Sequence, residues 1–254
     1  KIKFYKDRVA VNFLAKDKKN GADVFNAIDG YTAIGVLSKQ FDTVEEGIEY
    51  VKDYMKDVPV VSVGLGAGDP AQFQKAALIA AATDPGHVNQ VFTGAAYAAG
   101  ALKAMKAENT AVNVLMSPTG IVGKVKISTG ELSSKETPAI VDVDTAMAMV
   151  LDMRAQGIKY FPMGGLKSKD ELKAVAVRLY RPCLEACARH GVPMMEPSGG
   201  VDLSNFKEIT KICLDAGVEK VMPHIYGAVI DKESGNTKIE DVKAVYQMVK
   251  ELLD

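Results

Sequence analysis

Short apolar runs alternate with longer amphipathic stretches along the whole chain, and eight such pairs follow one another without interruption. The apolar runs are RVAVNFLA (8–15), TAIGVLS (32–38), VVSVGLG (60–66), HVNQVFTG (87–94), AVNVLMS (111–117), IKYFPMG (158–164), PMMEPSGG (193–200) and VEKVMPHIYG (218–227). They are rich in Val, Ile and Phe at both phases of a strand, as strands covered on both faces must be. The stretches between them place apolar residues three and four apart, the helical spacing. Strict strand–helix alternation implies a parallel sheet, and eight units is the number that closes a (β/α)8 TIM barrel. A doubly wound open sheet has the same alternation and is the rival fold.

The chain has 254 residues, close to the roughly 250 of one such barrel. No linker, low-complexity tract or charge run marks a second domain, so residues 1–254 read as a single domain. Two places interrupt the pattern. Residues 118–140 form a connection longer than most and read as a functional loop or small hairpin insert. Pro182 falls inside a helical stretch at 168–190 and should kink or split it.

Hydrophobic residues make up 48% and charged residues 25%, with a net charge of −1 and both signs mixed along the chain. No basic block suggests nucleic acid, no apolar run is long enough to span a membrane, and no signal peptide is evident. The three cysteines, Cys183, Cys187 and Cys213, are an odd number with poor spacing for a metal beside only three histidines. Reduced thiols in a cytoplasmic protein, with no metal site, are expected.

In a barrel, chemistry sits at the C-terminal ends of the strands. Those ends carry Lys39 after the second strand, Gly66 and Asp69 after the third, Thr93 after the fourth, and Ser117 after the fifth. Glu196, Ser198, Gly199 and Gly200 close the seventh, and His224 closes the eighth. Asp69 reads as a helix cap ahead of Pro70. GLGAGD lacks the full spacing of a dinucleotide fingerprint, so nicotinamide binding is rejected.

Lys159 stands within the sixth strand, sharing a face with Phe161 and Met163. Its structural reading is a lysine whose stem lies on apolar surface with the ammonium in water. Its functional reading is a desolvated amine, readily deprotonated, that attacks a ketone to form a Schiff base. Lys39 and Lys126 compete for that role. Glu196 is either a proton-transfer carboxylate or an ion-pair partner that holds a lysine in place. His224 is either an acid/base or an orienting histidine. Ser198-Gly199-Gly200, before a helix expected at 203–216, offers backbone N–H groups to an anion.

IKYFPMGG followed by MEPSGG resembles the lysine strand and phosphate loop of Schiff-base 2-keto-3-deoxy-6-phosphogluconate aldolases. SVGLGAGDP, HVNQVFTG, SPTG, VKISTG and PHIY extend the likeness to the branch assigned to bacterial glucosaminate degradation, over nearly the whole chain. The resemblance implies Lys159 as the Schiff-base lysine and Ser198, Gly199 and Gly200 as the phosphate loop. The family carries a glutamate base and, four residues on, an arginine in its second strand; here these positions are Gly35 and Lys39. Lys39 is the heir to carboxylate binding, and Glu196 is the substitute base.

The reading is therefore a class I aldolase cleaving 2-dehydro-3-deoxy-6-phosphogluconate to pyruvate and glyceraldehyde 3-phosphate, without metal or organic cofactor. Catalysis is assigned to Lys159 and Glu196. Substrate contacts are assigned to Lys39, Gly66, Thr93, Ser117, Ser198, Gly199, Gly200 and His224. The partner is a small phosphorylated 2-keto-3-deoxy sugar acid, and apolar residues on the outer helices suggest a homo-oligomer. Three alternatives stand beside it: an aldolase for 4-hydroxy-2-oxoglutarate, a phosphosugar isomerase or epimerase without a Schiff base, and a non-catalytic barrel that binds a phosphorylated ligand.

Overall fold

The structure is a computed structural model that describes residues 1–167 and 169–254. One sheet holds the parallel strands β1 (Val11–Leu14), β2 (Thr32–Leu37), β3 (Val61–Gly64), β4 (Gly86–Val91) and β5 (Ala111–Pro118). After the short strands β6 (Lys124–Ile127) and β7 (Ile140–Asp142), the parallel series resumes with β8 (Gly157–Tyr160), β9 (Met194–Pro197) and β10 (Lys220–Val221). The eight parallel strands lie side by side in chain order with no reversal. A doubly wound sheet requires a reversal of strand order, so that rival is excluded. The flanks of the first and last strands also approach each other. Val9 bridges Val221 and Asn12 bridges His224, both in parallel register. The Asn12 N–H donates to the Pro223 carbonyl at 2.9 Å, and the Ile225 N–H donates to the Asn12 carbonyl at 3.0 Å.

Helices α1 (Lys18–Ala27), α2 (Val44–Tyr54), α3 (Phe73–Thr83), α4 (Ala95–Ala104), α5 (Val143–Asp152), α6 (Asp170–Arg189), α7 (Phe206–Asp215) and α8 (Ile239–Leu253) connect the strands. Their starts follow local chemistry. Asp17 caps α1 by accepting from the Asn20 N–H at 2.8 Å, and Thr43 caps α2 by accepting from the Glu46 N–H at 3.2 Å. Asp69 accepts from the Ala71 N–H at 3.0 Å, as a cap should, but a short 3-10 turn at Pro70–Gln72 precedes α3.

Two expectations change. α6 runs unbroken through Pro182, so the split at that residue does not occur; the helix begins at Asp170, and the expected start at Ser168 lies outside the described residues. Pro182 deletes one backbone donor, but Tyr180, Cys183 and Leu184 around it are buried, and that packing holds the helix together. α7 begins at Phe206 rather than 203, because the Asp202 carboxylate accepts from the Ser204 and Asn205 N–H groups and forms a tight turn first.

The 118–140 stretch leads through β6 to β7, an antiparallel addition to the outer end of β5. Lys126 lies on it, exposed. No helix among the described residues is long and apolar enough to cross a membrane.

Candidate active site

The strands place a ring of polar side chains inside the curled sheet, where parallel strands would otherwise be apolar. Asn12 comes from β1, Ser62 from β3, His87 and Asn89 from β4, Asn113 from β5, Glu196 from β9, and all are buried. Lys159 of β8 stands directly between Leu115 of β5 and Glu196 of β9 in the strand register. His224, just past β10, completes the ring.

Glu196 is 0% exposed, and both its oxygens are engaged. Oε2 accepts from Asn12 Nδ2 at 3.2 Å, Asn89 Nδ2 at 3.4 Å and His224 Nδ1 at 3.0 Å. Oε1 accepts from Asn113 Nδ2 at 3.2 Å and has His87 Nε2 at 3.4 Å, a longer electrostatic contact. Burial works against the charge, but His87, His224 and Lys159 outweigh it and pull the carboxyl down to about 2. An ionised carboxylate only accepts, so the hydrogen between it and His224 resides on Nδ1.

A second chain of contacts runs behind it. Asn12 Nδ2 donates to Ser62 Oγ at 3.0 Å, and Ser62 Oγ lies 2.7 Å from His87 Nδ1. Burial lowers the pKa of His87, and the charge of Glu196 opposes it. With a serine hydroxyl donating to Nδ1, the His87 hydrogen sits on Nε2 and faces Glu196.

Lys159 is partly buried, with its ammonium 6.0 Å from the centre of the Phe161 ring. Among the described residues no carboxylate reaches ion-pair distance. Burial pushes its pKa below the usual lysine range, and the charge of Glu196 opposes this without reversing it. Lys159 opens into a cavity of about 280 Å³ that is also lined by Asn89, Leu115, Phe161, Ser198, His224 and Tyr226. The opposite wall is Leu37 with the loop from Gly64 to Gly68. Gly66, Ala67 and Gly68 there have successive positive φ values of 95°, 50° and 68°, a backbone that favours glycine.

Of the residues singled out in the sequence, Lys159, Gly66, Ser198 and His224 line this cavity, and Glu196 lies behind its wall. Gly199 and Gly200 follow Ser198 in sequence and pack closely on the segment after β8: a Cβ on Gly200 would stand 2.9 Å from the Gly164 Cα, and one on Gly199 would stand 2.7 Å from the Pro162 Cα. The Ser198 N–H is bonded to the Tyr160 carbonyl at 2.9 Å. The Gly199 and Gly200 N–H groups have no acceptor among the described residues.

Lys39, Thr93 and Ser117 are not in the lining. Lys39 is mostly exposed and pairs with Asp69 at 3.2 Å on the rim. Thr93 is exposed beyond β4, and Ser117 pairs with Lys126 of the added hairpin.

Sequence reasoning passed over Asn12, Ser62, His87, Asn89, Asn113 and Tyr226. A signal existed. Asparagine is disfavoured in strands, yet one stands mid-run in each of VNF, VNQ and VNV. Tyr226 explains the glycine in the second strand, because its hydroxyl occupies the room that a side chain on Gly35 would need.

A family model described as KDGP aldolase matches residues 5–233. A 2-dehydro-3-deoxy-phosphogluconate aldolase of Salmonella typhimurium (strain 14028s / SGSC 2262) is 52% identical over 252 residues, covering 99% of each chain. Among solved structures, KGPDC from Streptococcus mutans matches with a TM-score of 0.59 at 12% identity, over 97% of this chain and 100% of that one. A mutant tryptophan synthase α-subunit from the hyperthermophile Pyrococcus furiosus matches at 0.58 and 16% identity, over 99% of both chains. At such identities the two structures are similar to this one in fold alone. The family match and the identity sustained along the full length lead to one assignment: the chain belongs to the KDGP aldolase family.

Proposed function

We propose that this protein is a class I aldolase that cleaves 2-dehydro-3-deoxy-6-phosphogluconate to pyruvate and glyceraldehyde 3-phosphate, in the glucosaminate-degrading branch of the family. We read its sheet as a closed (β/α)8 barrel and the protein as cytoplasmic and homo-oligomeric. The observation that carries the functional reading is Lys159: a desolvated amine without an ion-pair partner among the described residues, opening into the cavity beside a buried carboxylate.

In this scheme neutral Lys159 attacks the C2 ketone and loses water to give an iminium. The C3–C4 bond then breaks, its electrons neutralise the iminium as an enamine, and the aldehyde leaves. Reprotonation at C3 and hydrolysis release pyruvate and free Lys159. The protonated imine is the electron sink, so the scheme uses neither metal nor organic cofactor.

Glu196 enters as a fixed negative charge that stabilises the buried iminium. Its low pKa and five surrounding groups make it a weak proton acceptor. Asn89 lines the cavity and carries a buried amide oxygen without a hydrogen-bond partner among the described residues. The Gly199 and Gly200 N–H groups take the phosphate. Lys39, on the rim, meets the carboxylate only by leaving Asp69, and Thr93 and Ser117, outside the cavity lining, are given no part in the scheme.

Borohydride reduction in the presence of pyruvate tests the scheme. The expected product is a covalent adduct that peptide mass spectrometry places on Lys159, absent from Lys159→Ala. Wild-type enzyme that cleaves substrate yet is never trapped by borohydride would overturn it.

A further inference from the structure

With Glu196 engaged on both oxygens, the cavity needs another group to move the substrate proton. We propose that His224, oriented by Glu196, removes the C4-hydroxyl proton during cleavage and returns it to C3 of the enamine; this rests on the aldolase reading above.

The geometry singles out this ring. His224 lines the same cavity as Lys159, whereas Glu196 does not. Nδ1 is directed at Glu196 Oε2, 3.0 Å away, so the lone pair of a neutral imidazole is on Nε2. Nε2 has no hydrogen-bond partner among the described residues. The ring is held from the other side by Tyr226, with centroids 3.6 Å apart at 34°. Tyr226 is itself anchored, because its hydroxyl donates to Asn12 Oδ1 at 2.8 Å. The other polar lining side chains are Asn89 and Ser198, which are not bases at neutral pH, and the Tyr226 phenol, already committed to Asn12.

Charge accounting favours the transfer. Glu196, Lys159, His87 and Tyr226 face His224, and burial followed by the Lys159 cation holds its pKa down to about 4. During cleavage the O–H electrons form the aldehyde C=O, the proton goes to Nε2, and the C3–C4 electrons neutralise the iminium. One positive charge thus moves from the Lys159 nitrogen to His224 while staying beside Glu196. The cation that weakened the base disappears as the base is used. Donation of the same proton to C3 restores neutral His224.

His224→Asn and His224→Gln test the proposal, with pyruvate as probe. Borohydride trapping on Lys159 should persist in both variants, which also shows that the site is folded. Deuterium exchange into the pyruvate methyl group, followed by proton NMR, should fall by about 10²- to 10⁴-fold, the usual range for one general acid–base group. Substrate cleavage should fall in parallel. Exchange within about tenfold of wild type, an order of magnitude below that range, would overturn the assignment. So would loss of trapping in both variants, because His224 would then act in adduct formation. Failure of the wild type to trap pyruvate is a separate result that removes the aldolase reading itself.

Discussion

Replacing Glu196 with glutamine keeps the shape of the side chain and deletes its charge. An ordinary glutamate titrates near 4.3, whereas this carboxyl is held at about 2. At about 1.4 kcal/mol per pH unit, the gap makes the ionised form contribute about 3 kcal/mol to stability. The folded protein binds this proton more weakly than the unfolded chain does. The contribution is therefore complete above about pH 4.3 and lost as pH falls toward 2. Glu196→Gln should accordingly be about 3 kcal/mol less stable at pH 7. At roughly 2–4 °C per kcal/mol for a chain of this size, its Tm should drop by about 6–12 °C.

Urea unfolding of both proteins at steps from pH 7 to pH 3 provides the assay. Glu196 also raises the pKa of the hydrogen-bonded His224, so the difference between the two proteins reads the Glu196–His224 pair rather than the carboxylate by itself. That difference should be flat from pH 7 to about pH 5 and then shrink. A glutamine variant as stable as wild type at pH 7, or a difference that does not narrow in acid, would refute the charged reading of the site.

Gly35→Ala should force Tyr226 out of its place, because the new methyl would collide with its hydroxyl. A loss of about 1–3 kcal/mol in urea unfolding is expected, together with slower pyruvate methyl exchange. Gly200→Ala combines a φ of +74° with a Cβ 2.9 Å from the Gly164 Cα. It should raise KM for the phosphorylated substrate while leaving that for 4-hydroxy-2-oxoglutarate nearly unchanged; equal effects would remove the phosphate from this loop. Cys183, Cys187 and Cys213 are buried, and burial pushes all three thiols up. Ellman's reagent should label none of them in the native protein, and labelling in urea should follow the unfolding transition.

The order of the elements was legible in the sequence because strand–helix alternation is a local pattern. All eight apolar runs contain strands, and a helix follows each of them. Lys159 was legible for a related reason, since a lysine inside an apolar run stands out in one dimension. The asparagines stood out less, and what gives them meaning is their convergence on one carboxylate in space. Asn12, Asn89, Asn113 and Glu196 lie up to 184 residues apart, as the Asn12–Glu196 bond shows. No local window links a mid-strand asparagine to a carboxylate so much later in the chain. Ends of elements also misled, because a single side chain decides them, as Asp202 does by holding the turn before α7.

The same distinction explains why the missing glutamate in the second strand points, in sequence, to Glu196 as the base. Read along the chain, Gly35 is a vacancy, and the nearest spare carboxylate at a strand end is Glu196. In space the room above Gly35 is filled by Tyr226, which stacks on His224. A glutamate there and a tyrosine there cannot coexist. Glu196, surrounded by three amides and two imidazoles, is where the negative charge resides. Such a carboxylate stabilises a cation well and accepts a proton poorly, since each donor that strengthens the first property weakens the second. The division of labour we propose follows from that opposition: a buried anion to hold the positive charge, and a neutral ring against it to carry the proton.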